Sequence, residues 1–251
     1  MPKFFVEPGQ IYDEEALIFG DDAHHIISSL RMKVGDPITI SNMNKRDYDC
    51  IISSISGGVV HAEIISSSVC EAEPNYSITL YQCLPKGEKM EYVIQKAVEL
   101  GAAAIVPVLS SRCIAKPAGR DKNGKDKKTE RYNRIAYEAA EQSGRGIVPV
   151  VHECINFERA VTLAKNDAIS FICYEEEKKN SIRKFIDSKK QEGMKNNAIS
   201  FFIGPEGGFS PDEISFAVEN GIESVGLGNR ILRTETASGF VLAVLSYETE
   251  L

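Results

Sequence analysis

The residues best suited to chemistry lie in two loops near the C-terminus of this 251-residue chain. The first loop is residues 204–208 (GPEGG), and the second is residues 228–234 (GNRILRT). Arg230 and Arg233 flank an apolar Ile-Leu pair in the second loop, and Glu235 follows it. Glycines allow a main chain to approach a ligand closely, and charged side chains can act on a reacting atom. These residues predict a site for a bent, partly apolar ligand held by main-chain hydrogen bonds.

Regular elements must bring both loops to the same edge of a sheet. The apolar run 201–203 predicts a strand that ends at the first loop, and residues 210–213 (SPDE) have the form of a capping box at a helix start. Gly221 is placed to end that helix, and a short strand, 224–227, precedes the second loop. In open α/β sheets, ligands bind at the carboxyl ends of neighbouring strands. A pair of well-capped βα turns would explain the same residues.

Composition is that of an ordinary globular protein, with 43% hydrophobic and 26% charged residues. No apolar run approaches the roughly 18 residues that span a bilayer, and the N-terminus lacks the apolar core of a signal peptide. We therefore expect a cytoplasmic protein without membrane contact. The six cysteines form no C-x-x-C pair, which predicts buried thiols and no metal site.

A basic segment contrasts with the net charge of −7. Residues 112–134 contain nine Lys or Arg and three acidic residues. Such segregation indicates a surface for a polyanion, although a solvated, mobile segment explains the same charges.

Two domains are predicted, residues 1–72 and residues 73–251. Short β-rich runs around one helix, 21–30, predict a small N-terminal β-barrel. Beyond it, strands alternate with helices, which predicts an α/β domain with a parallel sheet. The predicted strands are 4–6, 16–19, 38–41, 47–53, 59–65, 78–84, 105–109, 168–174, 200–203 and 224–227. The predicted later helices are 90–100, 127–142, 157–163, 181–191, one from 211 and one from 234, the last with a buried face of Ala237, Phe240, Val241, Val244 and Leu245.

The two loop segments, IGPEGGFSPDEI and LGNRILRTETA, resemble the paired signature of the RsmE family. This family belongs to the SPOUT superfamily of S-adenosylmethionine-dependent RNA methyltransferases. Three further blocks match, from His24 to Asp36, from Lys86 to Gly101, and EQSGR at 141–145. The resemblance covers essentially the whole chain.

The resemblance implies a SPOUT α/β trefoil-knot domain, which no periodicity could reveal, and a PUA-like, RNA-binding N-terminal barrel. It also implies a homodimer that binds S-adenosylmethionine in a bent conformation. Tyr174, at the end of its strand, is positioned to flank this cofactor. The other expected cofactor contacts are Gly204, Leu227, Gly228, Ile231 and Leu232.

The activity implied is methylation of N3 of one uridine near the 3′ end of 16S ribosomal RNA, free or in the small subunit. The N3–H is only weakly acidic, so the reaction needs a base or a cation that stabilises the developing charge. Glu235 is the candidate base and Arg233 the candidate electrostatic stabiliser. No metal is required.

The expected RNA contacts are Arg31, Arg112, Lys125, Lys127, Lys128 and Arg145. Residues 1–70 contain five basic and ten acidic residues, so RNA contact by that domain must be local. Arg145 could instead be a cation that stabilises a helix C-terminus. Two alternatives stay open: a SPOUT methyltransferase that acts on a ribose 2′-hydroxyl or on transfer RNA, and a non-catalytic RNA-binding assembly factor.

Overall fold

The computed structural model describes residues 1–117, 126–192 and 198–250. The chain divides into two compact units, one of Met1–Glu73 with Ala140–Val148, the other of Pro74–Ala139 with Pro149–Leu251. The first segment of the first unit ends one residue after the predicted boundary at 72. The segment 140–148 groups with the N-terminal residues in the first unit, and the predicted domain bounds of 1–72 and 73–251 stay a prediction.

The first unit contains a five-stranded sheet in the order β1-β3-β4-β5-β2 within the described residues. Its strands are β1 (Lys3–Phe5), β2 (Glu15–Ile18), β3 (Pro37–Ser41), β4 (Arg46–Ser56) and β5 (Val59–Val69). Helix α1 (Asp21–His24) continues into a π-helical turn, His25–Ser29. Side chains from the strands and this helix, among them Phe4, Ile26 and Ile52, form one buried core. All five strands predicted for this region are present.

The second unit is built on a largely parallel sheet in the order β12-β10-β11-β6-β7-β8, with β9 paired to β7. The strands are β6 (Ser77–Cys83), β7 (Ala102–Leu109), β8 (Val150–Val151), β9 (Ile155–Asn156), β10 (Ile169–Cys173), β11 (Ala198–Ile203) and β12 (Glu223–Val225). The helices are α2 (Lys89–Glu99), α3 (Lys127–Gln142), α4 (Phe157–Ala164), α5 (Ile182–Gln191), α6 (Pro211–Glu219) and α7 (Thr234–Glu250). Within the described residues, no helix has the length and apolarity to cross a membrane.

The central strands of this sheet are buried on both faces, which explains their continuous apolar sequences. In β11 every residue from Ile199 to Ile203 is buried. The Phe202 ring stacks on Tyr81 of β6 at 4.6 Å between centroids and meets Phe157 of α4 edge-on at 5.9 Å. This packing fixes the position at which β11 ends and the first loop begins.

The chain that leaves β12 crosses the end of β10. Gly226 donates its N–H to Asn180 and accepts a hydrogen bond from Ile182, so it lies against the loop 174–181 that follows β10. A Cβ atom at position 226 would lie only 2.2 Å from the carbonyl oxygen of Glu177. This crossing requires glycine, and it leads the second loop towards the ends of β11 and β6.

The last helix buries Ala237, Val241 and Leu245 as predicted, but the buried face is shifted away from Phe240. Its buried residues are Thr234, Ala237, Ser238, Val241, Leu242 and Leu245, whereas the Phe240 side chain is 37% exposed. Helix α7 packs against α2 and β11, and the small Thr234 and Ser238 side chains allow close approach there. The prediction that Phe240 is buried was therefore wrong.

A buried ion pair holds the segment 140–148 in the first unit. Arg145 contacts both carboxylate oxygens of Glu73, at 2.8 and 3.1 Å, and the two side chains are 3% and 4% exposed. The main-chain N–H groups of Gly146 and Ile147 also donate to Glu73, at 2.7 and 3.2 Å. This geometry satisfies the buried charges and places the Arg145 guanidinium away from solvent.

We expect Arg145→Met to lower the free energy of unfolding by about 3–5 kcal/mol, because it leaves the Glu73 carboxylate buried without its cation. Arg134→Met is the matched control, since Arg134 forms an exposed pair with Glu138 of a kind worth about 0.3–0.5 kcal/mol. Urea denaturation of both variants measures the difference. Equal stability of Arg145→Met and the parent protein would contradict the structural role of this pair.

Candidate functional site

A cleft of about 470 Å³ opens in the second unit at the carboxyl ends of β10, β11 and β12. Its walls come from the loops that follow these three adjacent strands, together with the start of α7 and Lys89 of α2. Clefts of about 300–1,000 Å³ are typical of small-molecule sites. The position agrees with the rule that open α/β sheets bind ligands at the carboxyl ends of their strands.

All of the residues predicted to contact a cofactor line this cleft. They are Tyr174, Gly204, Leu227, Gly228, Ile231 and Leu232. The Ile231 side chain is 90% exposed and provides apolar surface at the cleft for a ligand to cover. Arg233 also lines the cleft and is exposed.

One hydroxyl group joins the second loop to the first. Thr234 Oγ1 donates to the carbonyl oxygen of Gly204 at 2.7 Å and accepts a hydrogen bond from Gln82 Nε2 at 2.8 Å. Thr234 and Gln82 are buried. The end of β6, the end of β11 and the start of α7 therefore meet at this threonine.

The first loop is fixed by the predicted capping box and by the segment after β7. Ser210 accepts from the Glu213 N–H at 3.2 Å, and Glu213 Oε2 accepts from the Ser210 N–H at 2.8 Å. Glu213 Oε1 also accepts from the Ser111 N–H at 2.7 Å. Arg112 donates to the carbonyl oxygen of Gly207 at 2.9 Å. The loop therefore has a defined shape before any ligand arrives.

Lys89 lies between two carboxylates from different segments. Its Nζ is 3.1 Å from Glu206 Oε1 and 3.3 Å from Glu235 Oε2. The hydrogen bond to Glu206 is the main reason that the pKa of Lys89 is raised, and Glu235 adds to it. Burial alone would raise the pKa of Glu206, but hydrogen bonds from its own main chain and from Lys89 hold it below its usual value. The group is thus a protonated lysine between two acidic side chains.

Glu235 does not line the cleft itself, but it forms an ion pair with Lys89, which does. Its side chain is 17% exposed, and its Oε2 atom is buried and accepts no hydrogen bond within the described residues. Sequence reasoning missed Lys89. A signal was present, because a cation in the first turn of a helix opposes the helix dipole.

The residues predicted to contact RNA differ in their exposure. Arg31, Lys127 and Lys128 are exposed, and Arg31 has a left-handed backbone with φ of 54°, which is uncommon outside glycine. Arg112 is exposed but also supports the first loop, as described above. Lys125 lies outside the described residues. Arg145 is the exception to this exposed set, because its guanidinium is buried against Glu73.

The donor set around the cleft suits an organic ligand. Apolar side chains at 227, 231 and 232 face main-chain groups of two glycine-containing loops, with the carboxylates of Glu175 and Glu206 nearby. Within the described part of the chain, no group of three or more His, Cys, Asp or Glu side chains is arranged to hold a metal ion.

Comparison with known families gives two matches. A family profile described as an RNA methyltransferase domain matches residues 72–246, and one described as an RNA methyltransferase PUA domain matches residues 19–65. The protein named ribosomal RNA small subunit methyltransferase E of Bacillus subtilis is 35% identical over 254 residues, with 100% of this chain and 98% of the relative covered.

Two solved structures are similar over nearly their whole length. A crystal structure described as a hypothetical protein is 33% identical, with a TM-score of 0.87. The match covers 99% of this chain and 98% of the chain in that crystal structure. The ribosomal RNA small subunit methyltransferase E of Neisseria gonorrhoeae, bound to S-adenosylmethionine, is 29% identical with a TM-score of 0.81. The match covers 98% of this chain and 97% of the Neisseria chain.

One cysteine beside the first loop has an unusual environment. A hydrogen bond from the Cys83 thiol is the main cause that lowers the pKa of Cys113 to about 6, and Ser110 contributes. Ser110 Oγ lies 3.3 Å from Cys113 Sγ. Burial raises the pKa of the other five cysteines, for example to about 11 for Cys154.

We expect iodoacetamide to alkylate Cys113 first, with a rate that rises with pH through a midpoint near 6, because the thiolate is the nucleophile. Mass spectrometry of the intact protein and its peptides across pH 5–9 measures this rate. Cys113→Ser should abolish the fast phase, and Cys154→Ser should not change it. A midpoint near that of an ordinary thiol, about 8.5, would contradict the stabilised thiolate.

Proposed function

Because the chain belongs to the RsmE family of ribosomal RNA small subunit methyltransferases, we propose that it methylates N3 of one uridine near the 3′ end of 16S ribosomal RNA, with S-adenosylmethionine as the donor. The fold class predicted from the sequence, a SPOUT domain with a parallel sheet and a PUA-like N-terminal unit, is confirmed. The observation that carries the proposal is a single cleft lined by both signature loops.

The cleft fits the donor. Leu227, Ile231 and Leu232 offer apolar surface for the adenine ring, and the main chain of Gly204 and Gly228 can supply hydrogen bonds. When bound, S-adenosylmethionine supplies a methyl group already activated by its positive sulfonium. The protein therefore contributes mainly by binding, orientation and electrostatics.

The acceptor requires help with a proton. We propose that the Glu235 carboxylate accepts the N3 proton of the uracil ring, and that Arg233 contacts the negative charge of the RNA or of the ring. Glu235 pairs with Lys89 at 3.3 Å, and Lys89 lines the cleft, which supports the assignment of Glu235. Arg233 is exposed on the cleft wall, which suits contact with a large ligand.

A basic surface at the start of α3 supports binding of RNA. Lys127 and Lys128 are exposed at the N-terminus of this helix, where their charges oppose the helix dipole. The helix start is capped by Asp126, which accepts from the Lys128 N–H at 2.9 Å and from the Thr129 hydroxyl at 3.1 Å. Lysines at this position do not stabilise the helix, but their charges add to the positive end of the helix dipole, and the combined positive charge attracts phosphate groups.

We further propose that the working unit is a cytoplasmic homodimer that acts on 16S ribosomal RNA or on the small ribosomal subunit. Helices α2 and α7 pack together and expose Tyr92, Phe240 and Tyr247 by 52%, 37% and 66%. Exposed aromatic side chains on adjoining helices are typical of protein interfaces.

We expect Glu235→Gln to lower turnover by about 10²-fold, the usual size of a lost general base, with little change in donor affinity. Methyl transfer to 16S ribosomal RNA is followed with labelled donor, 3-methyluridine is identified by mass spectrometry, and donor affinity is measured by calorimetry.

Glu248→Gln on the same helix is the control for this experiment, because Glu248 pairs with Lys190 at the far end of α7. A loss of donor binding in Glu235→Gln would instead assign Glu235 a structural role at the cleft. A methylated nucleoside other than 3-methyluridine from the parent protein would overturn the proposed activity.

For the basic surface, we expect a triple Lys→Gln variant at 125, 127 and 128 to weaken RNA binding and to reduce the slope of log Kd against log salt by about 2, near 0.7–0.9 per lost phosphate contact. Filter binding at several salt concentrations measures the slope. The matched control carries Lys→Gln at 184, 189 and 190 of α5. An unchanged slope would leave these lysines as solvated surface charges.

A further inference from the structure

Lys89 presents a fixed cation to the cleft. The distances given above place its ammonium between Glu206 and Glu235, and its side chain remains 34% exposed. An ammonium group has three N–H donors. One is donated to Glu206, and Glu235 Oε2 is an ion-pair partner that accepts no hydrogen bond within the described residues, so N–H donors remain for a ligand. The raised pKa of Lys89 keeps it protonated at neutral pH, which excludes a role as a base.

This cation is held in place before a substrate binds. Glu206, its first partner, is itself anchored by the main-chain N–H of Lys86 at 3.1 Å. By contrast, the Arg233 side chain makes no hydrogen bond or ion pair within the described residues. Donors that are already oriented stabilise developing charge better than mobile ones, because no reorganisation is needed during the reaction. Lys89 is therefore better placed than Arg233 for a contact close to the reacting atom.

The pair of Lys89 and Glu235 matches the edge of a uracil ring. That edge presents the N3–H donor next to a carbonyl acceptor. At the cleft edge the Lys89 ammonium lies next to the Glu235 carboxylate, whose side chain is 17% exposed and whose buried Oε2 atom is 3.3 Å from Nζ. Cytosine has no proton on N3 and carries an amino donor in place of the O4 carbonyl, so its amino group would face the cation. A mismatched donor facing a fixed cation is a strong source of discrimination.

On the basis of the proposed function, we infer that Lys89 is a catalytic and specificity-determining residue that donates a hydrogen bond to O4 of the uracil ring, a carbonyl oxygen next to N3. As the N3 proton passes to the Glu235 carboxylate, negative charge develops on the ring nitrogen and on the carbonyl oxygen. The Lys89 N–H faces that oxygen and stabilises the charge, while Glu206 keeps the ammonium in position.

The test compares Lys89→Met and Lys89→Arg with the parent protein on two 16S transcripts, one with uridine and one with 4-thiouridine throughout. Sulfur is a weaker hydrogen-bond acceptor than oxygen, so the thio transcript weakens the proposed contact from the RNA side. We expect Lys89→Met to lower kcat on the uridine transcript by about 10²-fold, as for removal of one oriented donor. Donor affinity should stay within about threefold, since the inferred contact is with the acceptor rather than the donor. Lys89→Arg should recover most of the rate, because it keeps the cation.

The decisive measurement is the kcat of Lys89→Met on the 4-thiouridine transcript, which combines the protein change with the RNA change. If Lys89 contacts the carbonyl, the thio substitution slows the parent protein but slows Lys89→Met little further, because the contact is already lost. If the fold-losses in kcat from Lys89→Met and from the thio substitution simply multiply, the inference is overturned. A loss of donor affinity in Lys89→Met as large as its loss in kcat would also overturn it.

Lys96→Met is the matched control, since Lys96 pairs with Glu99 farther along the same helix. The parent protein must yield 3-methyluridine from the uridine transcript; if it does not, the proposed function fails first.

Discussion

A single hydroxyl group holds the site together. Thr234 begins the last helix, and its Oγ1 bonds to Gly204 at the end of β11 and to Gln82 at the end of β6. The second loop crosses the end of β10 before it reaches Thr234. The hydrogen bond from Thr234 to Gly204 then fixes the second loop against the first. A buried hydroxyl that both donates and accepts a hydrogen bond stabilises the fold and also fixes the relative orientation of the segments it joins. The cleft lies where these loops are forced together.

The charged side chains form two groups, one at the start of α3 and one at the cleft. The chain is acidic overall, yet exposed cations gather at the start of α3 and on the cleft wall. At the cleft, Lys89 is balanced by Glu206 and Glu235, so the site combines a fixed positive charge with two carboxylates, and hydrogen bonds hold the pKa of Glu206 below its usual value. An arrangement of this kind can recognise a neutral imide edge and still stabilise the anion formed from it.

Much of the fold and of the cleft could be predicted because the signals are local. Apolar runs and the capping box at Ser210 determine the strands and the helix starts from short stretches of sequence, and the lining residues of the two glycine loops follow from the resemblance of those loops to the RsmE signature. The remainder depends on contacts between distant residues. Arg145 resembled a ligand contact because its partner, Glu73, is 72 residues away. Lys89 and Glu206 are 117 residues apart. The buried face of α7 was shifted because the small Thr234 and Ser238 side chains, rather than Phe240, meet its neighbours.

The crossing at Gly226 has a consequence for the synthesis of the protein. Every other wall of the cleft precedes this residue in the chain, so a ribosome makes the second loop and the start of α7 after the rest of the cleft. A nascent chain can form the sheet and the first loop, but it has no complete cleft until residue 226 has passed the loop after β10. The donor site is therefore complete only after translation has delivered residues 227–237.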